Sequence, residues 1–209
     1  MRTAAIVLGG MALISATAAF SDDDDDSPRM LRGKYAVTGA AVCNSSNATL
    51  TPVYVPPAGF MGNLVPIGHA SSNSFSSNSV WAFNRDGTGT TVSRVVSIGD
   101  PDPGDSGATS AINTTSDFTY TIGDGGALTI IQGPINSTLV AGPAAGQQTQ
   151  SVNMPPQTGY VSRDKKTLVF GSYDPGVETV SRVDLVPPVV TSQRICHRTN
   201  TAIRIDADR

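Results

Sequence analysis

Three consecutive segments of this chain alternate apolar with polar residues on both sides of a short turn. They span residues 80–98, 116–131 and 158–173, and their turns are built from Gly, Asp, Asn and Lys. An apolar period of two residues is typical of antiparallel hairpins that bury one face. The pattern therefore predicts an all-β fold, and it limits the fold class more strongly than any other feature of the chain.

The composition argues in the same direction. Charged residues make up 15% of the chain, against about 25% in an average soluble protein. Glu178 is the only glutamate, and there are three lysines. Since Glu and Lys are strong helix formers on exposed faces, their scarcity argues against long helices. We expect a single antiparallel up-and-down β-barrel of about eight strands over residues 31–209, with a β-sandwich as the alternative.

The periodicity also predicts which segments are strands and which are loops. Residues 33–43 and 49–55 are expected to be the first two strands, and residues 189–198 the last long one, with a short addition at 201–205. Two stretches rich in Pro, Gly, Ser and Asp are predicted to be long loops, residues 56–79 and 99–115.

The N-terminal residues have the features of a targeting segment. A charged start precedes the apolar run 4–14, which is shorter than the roughly 20 residues that a membrane span needs. Small residues at 16–19 suit signal-peptidase cleavage, so residues 1–19 are predicted to be a signal peptide and the mature protein to be soluble and exported, periplasmic or extracellular. An uncleaved anchor helix is the alternative. Residues 20–30 contain five aspartates in a row and are predicted to be a disordered acidic segment.

Charge excludes one class of partner. The net charge is −3, from 14 basic and 17 acidic residues, and five of the acidic residues are in the tract 22–26. The remaining body is close to neutral. A body without a basic field is a poor ligand for phosphate backbones, so nucleic acid is not expected as a partner.

Two cysteines are present, Cys43 and Cys196. In an exported chain an even pair is interpreted as a disulfide, because the compartment is oxidising. Such a bridge would join the first and last strands, as a closed barrel requires. Two separate buried thiols are the alternative.

Two hairpins and a strand start resemble a known class. Gly33 and Tyr35 form a Gly-x-Tyr start, followed by FNRDGTGT at residues 83–90 and YTIGDGGALTI at residues 120–130. Over residues 31–198 the chain resembles the lipocalin-like, or calycin, class of small secreted barrels. It departs from that class at Tyr35, where lipocalins have Trp, and in having no visible helix after the last barrel strand. The resemblance implies a barrel whose mouth holds a small apolar ligand.

A set of aromatic residues on predicted strands, together with one arginine, could line such a ligand site. The set is Trp81, Phe83, Arg94, Phe118, Tyr120, Tyr160 and Phe170. The aromatic rings would form an apolar cup with phenol hydroxyls for orientation, or they would simply fill the barrel core. Arg94 alternates with Val92, Val96 and Ile98, so it either faces inward with them or is displaced outward by a bulge.

No catalytic or metal site is predicted. Gly104–Gly107 matches the tetrapeptide around a serine-protease nucleophile, but Ser106 lacks a His at suitable spacing. Asp100, Asp102 and Asp105 do not follow the EF-hand pattern. The two histidines, His69 and His197, are too few for a zinc site. No cofactor is expected.

Three functional hypotheses follow. The first is an exported non-enzymatic barrel that binds a small apolar ligand. The second is a structural or adhesive envelope protein that acts through the loops 56–79 and 99–115. The third is a hydrolase or isomerase with a barrel-mouth acid–base pair. The oligomeric state is not predicted.

Overall fold

Eleven antiparallel strands and one 3₁₀ turn, Asp124–Gly126, make up the regular structure of the computed structural model, which describes residues 30–49, 53–100 and 109–206. The predicted signal peptide and almost all of the acidic segment lie outside these residues, as do Asp102, Asp105 and Ser106. The strands are β1 (Gly33–Asn47), β2 (His69–Phe83), β3 (Thr88–Asp100), β4 (Thr109–Ile122), β5 (Ala127–Gln132), β6 (Ile135–Ala141), β7 (Gln148–Val152), β8 (Gln157–Val161), β9 (Thr167–Ser172), β10 (Val177–Arg182) and β11 (Val189–Arg204).

The strands close into a ring of eight positions. β1 pairs with both β2 and β11, and the ring runs β1-β2-β3-β4-β5-β8-β9-β11. Three of the eight positions each contain two short strands placed end to end. These are β5 with β6, β8 with β7, and β9 with β10. The register shows this directly. Along β4, the pairing with β6 ends at Thr115↔Asn136 and the pairing with β5 begins at Phe118↔Gln132. The predicted antiparallel barrel of about eight strands is therefore confirmed.

Proline explains why three wall positions are each divided into two short strands. The interruptions between β5 and β6, β7 and β8, and β9 and β10 contain Pro134, Pro155-Pro156 and Pro175. Proline has no N–H to give to a ladder, so pairing stops there. The interruptions adjoin one another, since a Cβ at Gly176 would lie 3.0 Å from Pro155. We call the side of β5, β8 and β9 the lower half and the side of β6, β7 and β10 the upper half.

Several predicted boundaries are wrong. Residues 69–79 belong to β2 and residues 109–115 to β4, so the loops predicted at 56–79 and 99–115 are much shorter. The predicted strand 49–55 is limited, among described residues, to an isolated bridge between Thr49 and Val55. The last two predicted strands are one, β11. In each missed strand, cross-strand pairing overrides the low strand propensity of Ser and Asn.

The lower half is filled by side chains. Its buried cluster contains the residues Leu31, Tyr35, Val37, Trp81, Phe83, Phe118, Tyr120, Leu128, Ile130, Leu168, Phe170 and Ala202. Ring centroids of Trp81 and Phe118, and of Phe83 and Phe118, are 5.0 Å apart, within the range of favourable aromatic pairs. The predicted inward face of Phe118 and Tyr120 is confirmed.

Arg94 and its apolar neighbours on β3 face outward, which corrects one interpretation of the alternation. Val92 is 63% and Ile98 is 59% exposed, and the Arg94 guanidinium donates to Asn113 Oδ1 at 2.8 Å on the outside. Val92 pairs with Val80, next to buried Trp81. Cross-strand partners share a face, so burying Trp81 and Phe83 forces the Val80–Val92 row outward.

Tyr160 also lies on the outside, 70% exposed. Its neighbour Gly159 takes the inward position opposite Phe170 and Leu128. A Cβ at Gly159 would lie 2.8 Å from the Phe170 Cβ and 1.9 Å from the Val169 carbonyl oxygen, so only glycine fits there. The inward place that Tyr160 was predicted to fill is therefore occupied by the backbone of Gly159.

The Tyr120 hydroxyl ties the lower end of the barrel together, and its removal gives a testable effect. The hydroxyl lies 2.8 Å from the Leu31 carbonyl oxygen and 2.6 Å from that of Asn84, to either of which it can donate. Burial raises the pKa of Tyr120 to about 12, although the bond to Leu31 acts the other way. We expect Tyr120→Phe to lower the free energy of unfolding by about 1 kcal/mol at neutral pH, measured by urea denaturation.

The pH dependence of that difference has a definite sign. A raised folded-state pKa means that the neutral hydroxyl contributes stability fully below pH 10.0, its ordinary pKa, and loses it as the pH rises through about 12. The difference between wild type and Tyr120→Phe should therefore shrink over that range. A difference that stays constant up to the alkaline limit would contradict the assignment.

Candidate functional site

The upper half of the barrel contains a cavity of about 170 Å³. It exists because the inward positions of β1, β2 and β3 there are small, with Ala41, Ser77, Ser79 and Ser93 along the wall. Small barrels normally fill their interior with side chains. These four positions lack the bulk to do so, and the aliphatic part of the lining comes from Val95 on β3, Ile112 on β4, Ile135 on β6 and Val180 on β10.

A chain of hydrogen bonds forms the floor of the cavity and separates it from the aromatic core. Asn200 donates to Gln157 at 2.8 Å, Gln157 to Gln132 at 3.1 Å, and Gln132 to the Ser116 hydroxyl at 2.9 Å. Ser116 in turn bonds Thr91 at 2.9 Å. In the described part of the chain, no buried side-chain N or O atom lacks a partner. Because every member is satisfied, the chain orders the floor at little cost.

Trp81 joins this floor to the core. Its side chain is 5% exposed, lines the cavity and packs on Phe118 and Phe170 at 5.0 and 5.1 Å between ring centroids. The indole Nε1 donates to Ser79 Oγ at 3.1 Å. Trp81 is therefore held from two sides, and it is the only tryptophan of the chain.

The wall opposite the serines carries a buried ion cluster of Glu178, Arg194 and Arg198. Glu178 is fully buried and accepts from Arg194 Nε at 3.0 Å and from Arg198 Nη2 at 2.7 Å, with a further short contact from Arg198 Nη1. Arg194 Nη2 also donates to Ser151 at 3.2 Å. The arginine side chains are 18% and 15% exposed, and both line the cavity.

Electrostatics keep Glu178 ionised. Burial alone would raise the pKa of this carboxyl, but the hydrogen bonds and charges of Arg198 and Arg194 outweigh burial and hold the pKa below its usual value of 4.5. For Arg194, burial and then the charge of Arg198 lower the pKa, against the opposing pull of Glu178. The cluster thus carries one negative and two positive charges.

The predicted disulfide is present and lies beside this cluster. Cys43 and Cys196 are directly opposed on β1 and β11, are bonded and are buried. Glu178 Oε2 lies 3.8 Å from the Cys196 Sγ, a sulfur that has no proton to donate. The bridge therefore closes the seam between the first and last strands, as predicted, and Cys43 forms part of the cavity wall.

The residues predicted to line a ligand site divide into three groups. Trp81 is at the cavity. Phe83, Phe118, Tyr120 and Phe170 are in the packed core, where the alternative interpretation put them. Arg94 and Tyr160 are outside. A ligand role for the inward residues stays a prediction.

The ion cluster was missed by the sequence analysis, although a signal existed. Arg194, Cys196, Arg198 and Asn200 occupy every second position of β11, and a disulfide cysteine faces inward. With that cysteine as reference, both arginines must share its face. The need for a buried counter-charge then points to Glu178, the only glutamate.

The structure brings together no group of three or more His, Cys, Asp and Glu side chains able to hold a metal, within the residues it describes. No helix in the described ranges is long and apolar enough to cross a membrane. Comparisons with protein-family models, with curated proteins and with solved structures find no match to this chain.

Proposed function

We propose that this protein is a non-enzymatic binding protein that holds a small organic molecule in the upper-half cavity. The observation that carries the proposal is the cavity itself, hollow beside a lower half in which side chains fill the interior. A cavity of about 150 Å³ in another protein accepts benzene, so about 170 Å³ suits a body of roughly one ring.

The lining supports a ligand with an apolar body and one polar group, which refines the small apolar ligand that the resemblance implied. Val180, Ile112 and Phe75 offer apolar contact, whereas Asn200 and the arginines offer hydrogen bonds. Pockets of this composition use a few polar groups to fix orientation and apolar burial to supply affinity. The disulfide agrees with action in an oxidising compartment after export.

The ionised state of Glu178 favours binding over the hydrolase or isomerase hypothesis. A general acid or base needs a pKa near the working pH, whereas the pKa of Glu178 is lowered and its oxygens are engaged by two arginines. The envelope-protein hypothesis relied on two long loops, of which residues 69–79 and 109–115 are strands.

Trp81 fluorescence gives a direct test of the proposal, because the only tryptophan lies at the cavity. Benzyl alcohol, benzamide and benzoate serve as one-ring probes. We expect at least one of them to change the Trp81 emission saturably. Ser93→Leu places a larger side chain in the cavity and should weaken that binding at least about tenfold, or about 1.4 kcal/mol.

Arg94→Leu is the matched control, since it introduces the same side chain one residue further along β3, on the outer face. It should leave binding unchanged, and near-ultraviolet circular dichroism should show both variants folded. No saturable response to any of the three probes, together with a ligand-free mass for protein isolated gently from its source, would reject the proposal.

A further inference from the structure

The charge at the cavity wall does not balance, and this restricts the class of ligand. Glu178 supplies one negative charge, and Arg194 and Arg198 supply two positive ones. Because both arginines line the cavity, the excess positive charge lies beside the space that a ligand would occupy. Beside a wall whose carboxylate is fully buried, such a charge attracts an anion more strongly than it would in bulk water.

The two arginines have different capacities to bind a further group. Arg198 directs both terminal nitrogens at Glu178. Arg194 gives Nε to Glu178 and Nη2 to Ser151, and among the described residues its Nη1 makes no hydrogen bond. Arg198 keeps only its Nε–H and the second hydrogen of each engaged terminal nitrogen, whereas Arg194 has a whole terminal nitrogen, Nη1, that is not engaged by a described residue. Arg194 is therefore the guanidinium better placed to offer a terminal nitrogen to a ligand.

The position of Arg194 is fixed by its packing as well as by its bonds. The guanidinium carbon lies over the Phe75 ring, 5.6 Å from its centroid, which is within the range of a cation–π contact. A guanidinium held by a ring, a carboxylate and a hydroxyl loses little further freedom on binding. Val180 and Ile112 lie in the same cavity and can contact the rest of a ligand.

We infer that the ligand of this cavity is a small organic monoanion, a carboxylate on a body of about one ring, with the carboxylate bonded to Arg194. This inference rests on the proposed function and names its ligand class. One negative charge balances the cluster, whereas a dianion would leave an excess of the opposite sign. Burial and the neighbouring charge of Arg198 lower the pKa of Arg194, because both disfavour its charged form. A bound anion would act in the opposite direction, by stabilising the charged guanidinium.

The test compares three probes of nearly the same shape and different charge: benzoate, benzamide and benzylamine. We expect benzoate to bind the wild-type full chain at least about tenfold more tightly than benzamide, since hydrogen bonds to charged groups are worth about 1.5–3 kcal/mol. Benzylamine should not bind measurably. Trp81 fluorescence and calorimetry would both report the affinities.

Arg194→Met removes the excess charge and leaves Glu178 paired with Arg198, so the variant should fold. We expect the ratio of benzoate to benzamide affinity to fall to about one, as the charge-assisted bond is lost. Arg94→Met, on the outer face, is the matched loss of a positive charge and should keep the wild-type ratio.

The outcomes separate this inference from the proposed function. Equal affinity for benzoate and benzamide in the wild type would overturn the anion assignment while leaving a binding cavity. An unchanged ratio in Arg194→Met would overturn the assignment to Arg194. Should that variant fail to fold, the wild-type ratio still decides the charge preference. Absence of binding by these probes and by benzyl alcohol, together with a ligand-free mass for the gently isolated protein, would reject the binding function itself.

Discussion

Replacement of Glu178 by glutamine is expected to lower the free energy of unfolding by about 3 kcal/mol at neutral pH. Glutamine keeps the size of the side chain but removes the one carboxylate that, among the residues the structure describes, pairs with Arg194 and Arg198. Removing one partner from a buried ion cluster costs about 3–5 kcal/mol, because the remaining charge stays buried and unpaired. The low end applies here, since the arginine side chains are 18% and 15% exposed through the cavity.

Urea denaturation measures this effect. With a slope of about 2 kcal/mol per molar urea, the midpoint should fall by about 1.5 M. Asp184→Asn is the matched control, because it removes a carboxylate from the exposed ion pair with Arg182. Exposed pairs contribute little, so the control midpoint should not move. A Glu178→Gln midpoint equal to that of the control would mean that the cluster does not stabilise the fold.

Acid provides a second readout with a fixed sign. The folded-state pKa of Glu178 lies below the ordinary 4.5. Its contribution is therefore fully present above that value and is lost as the pH falls through the lowered pKa. The midpoints of wild type and Glu178→Gln should converge in that acid range.

Benzoate should also restore part of the variant's stability at neutral pH, because a bound anion stabilises the folded state.

The sequence was sufficient for the fold because the large aromatic residues of β2 and β4 mark the inward face of those two strands. Phe118 and Tyr120 on β4, with Trp81 and Phe83 on β2, alternate with polar residues, and all four are buried. The same rule failed for β3, where Val92 and Val96 face outward and Thr91 and Ser97 are buried. Alternation shows which residues of a strand share a face, but not which of the two faces points inward. The neighbouring strand with the larger side chains determines which face is buried.

The cavity could not be predicted because it is built from residues with weak strand signals. The segment HASSNSFSSNS resembles a loop in composition, yet residues 69–79 form a regular part of β2 between two long neighbours. Ser77 and Ser79 are small and polar, so they give a weak strand signal in the sequence and leave space unfilled inside the barrel. The low hydrophobicity of this segment thus explains both why the strand was not predicted and why the upper half is hollow.

Loss of the Cys43–Cys196 bridge should have the largest effect on stability. The two residues are 153 positions apart, and in the chain-entropy model closing so long a loop stabilises by about 5 kcal/mol. The double variant Cys43→Ala/Cys196→Ala should lower the urea midpoint by about 2 M or more at a slope of about 2 kcal/mol per molar. The remaining ladder between β1 and β11 has many pairs, so the folded ring itself should persist at low urea.

A reductant supplies the control for that variant. Reduced wild type should unfold near the midpoint of the double variant, since both lack the cross-link, and the double variant should not respond to reductant at all. The effect acts mainly through the unfolded chain, so the cavity and its Trp81 emission should change little in the folded variant. Equal midpoints for oxidised and reduced wild type would show that the seam between β1 and β11 is held by its backbone pairing rather than by the disulfide.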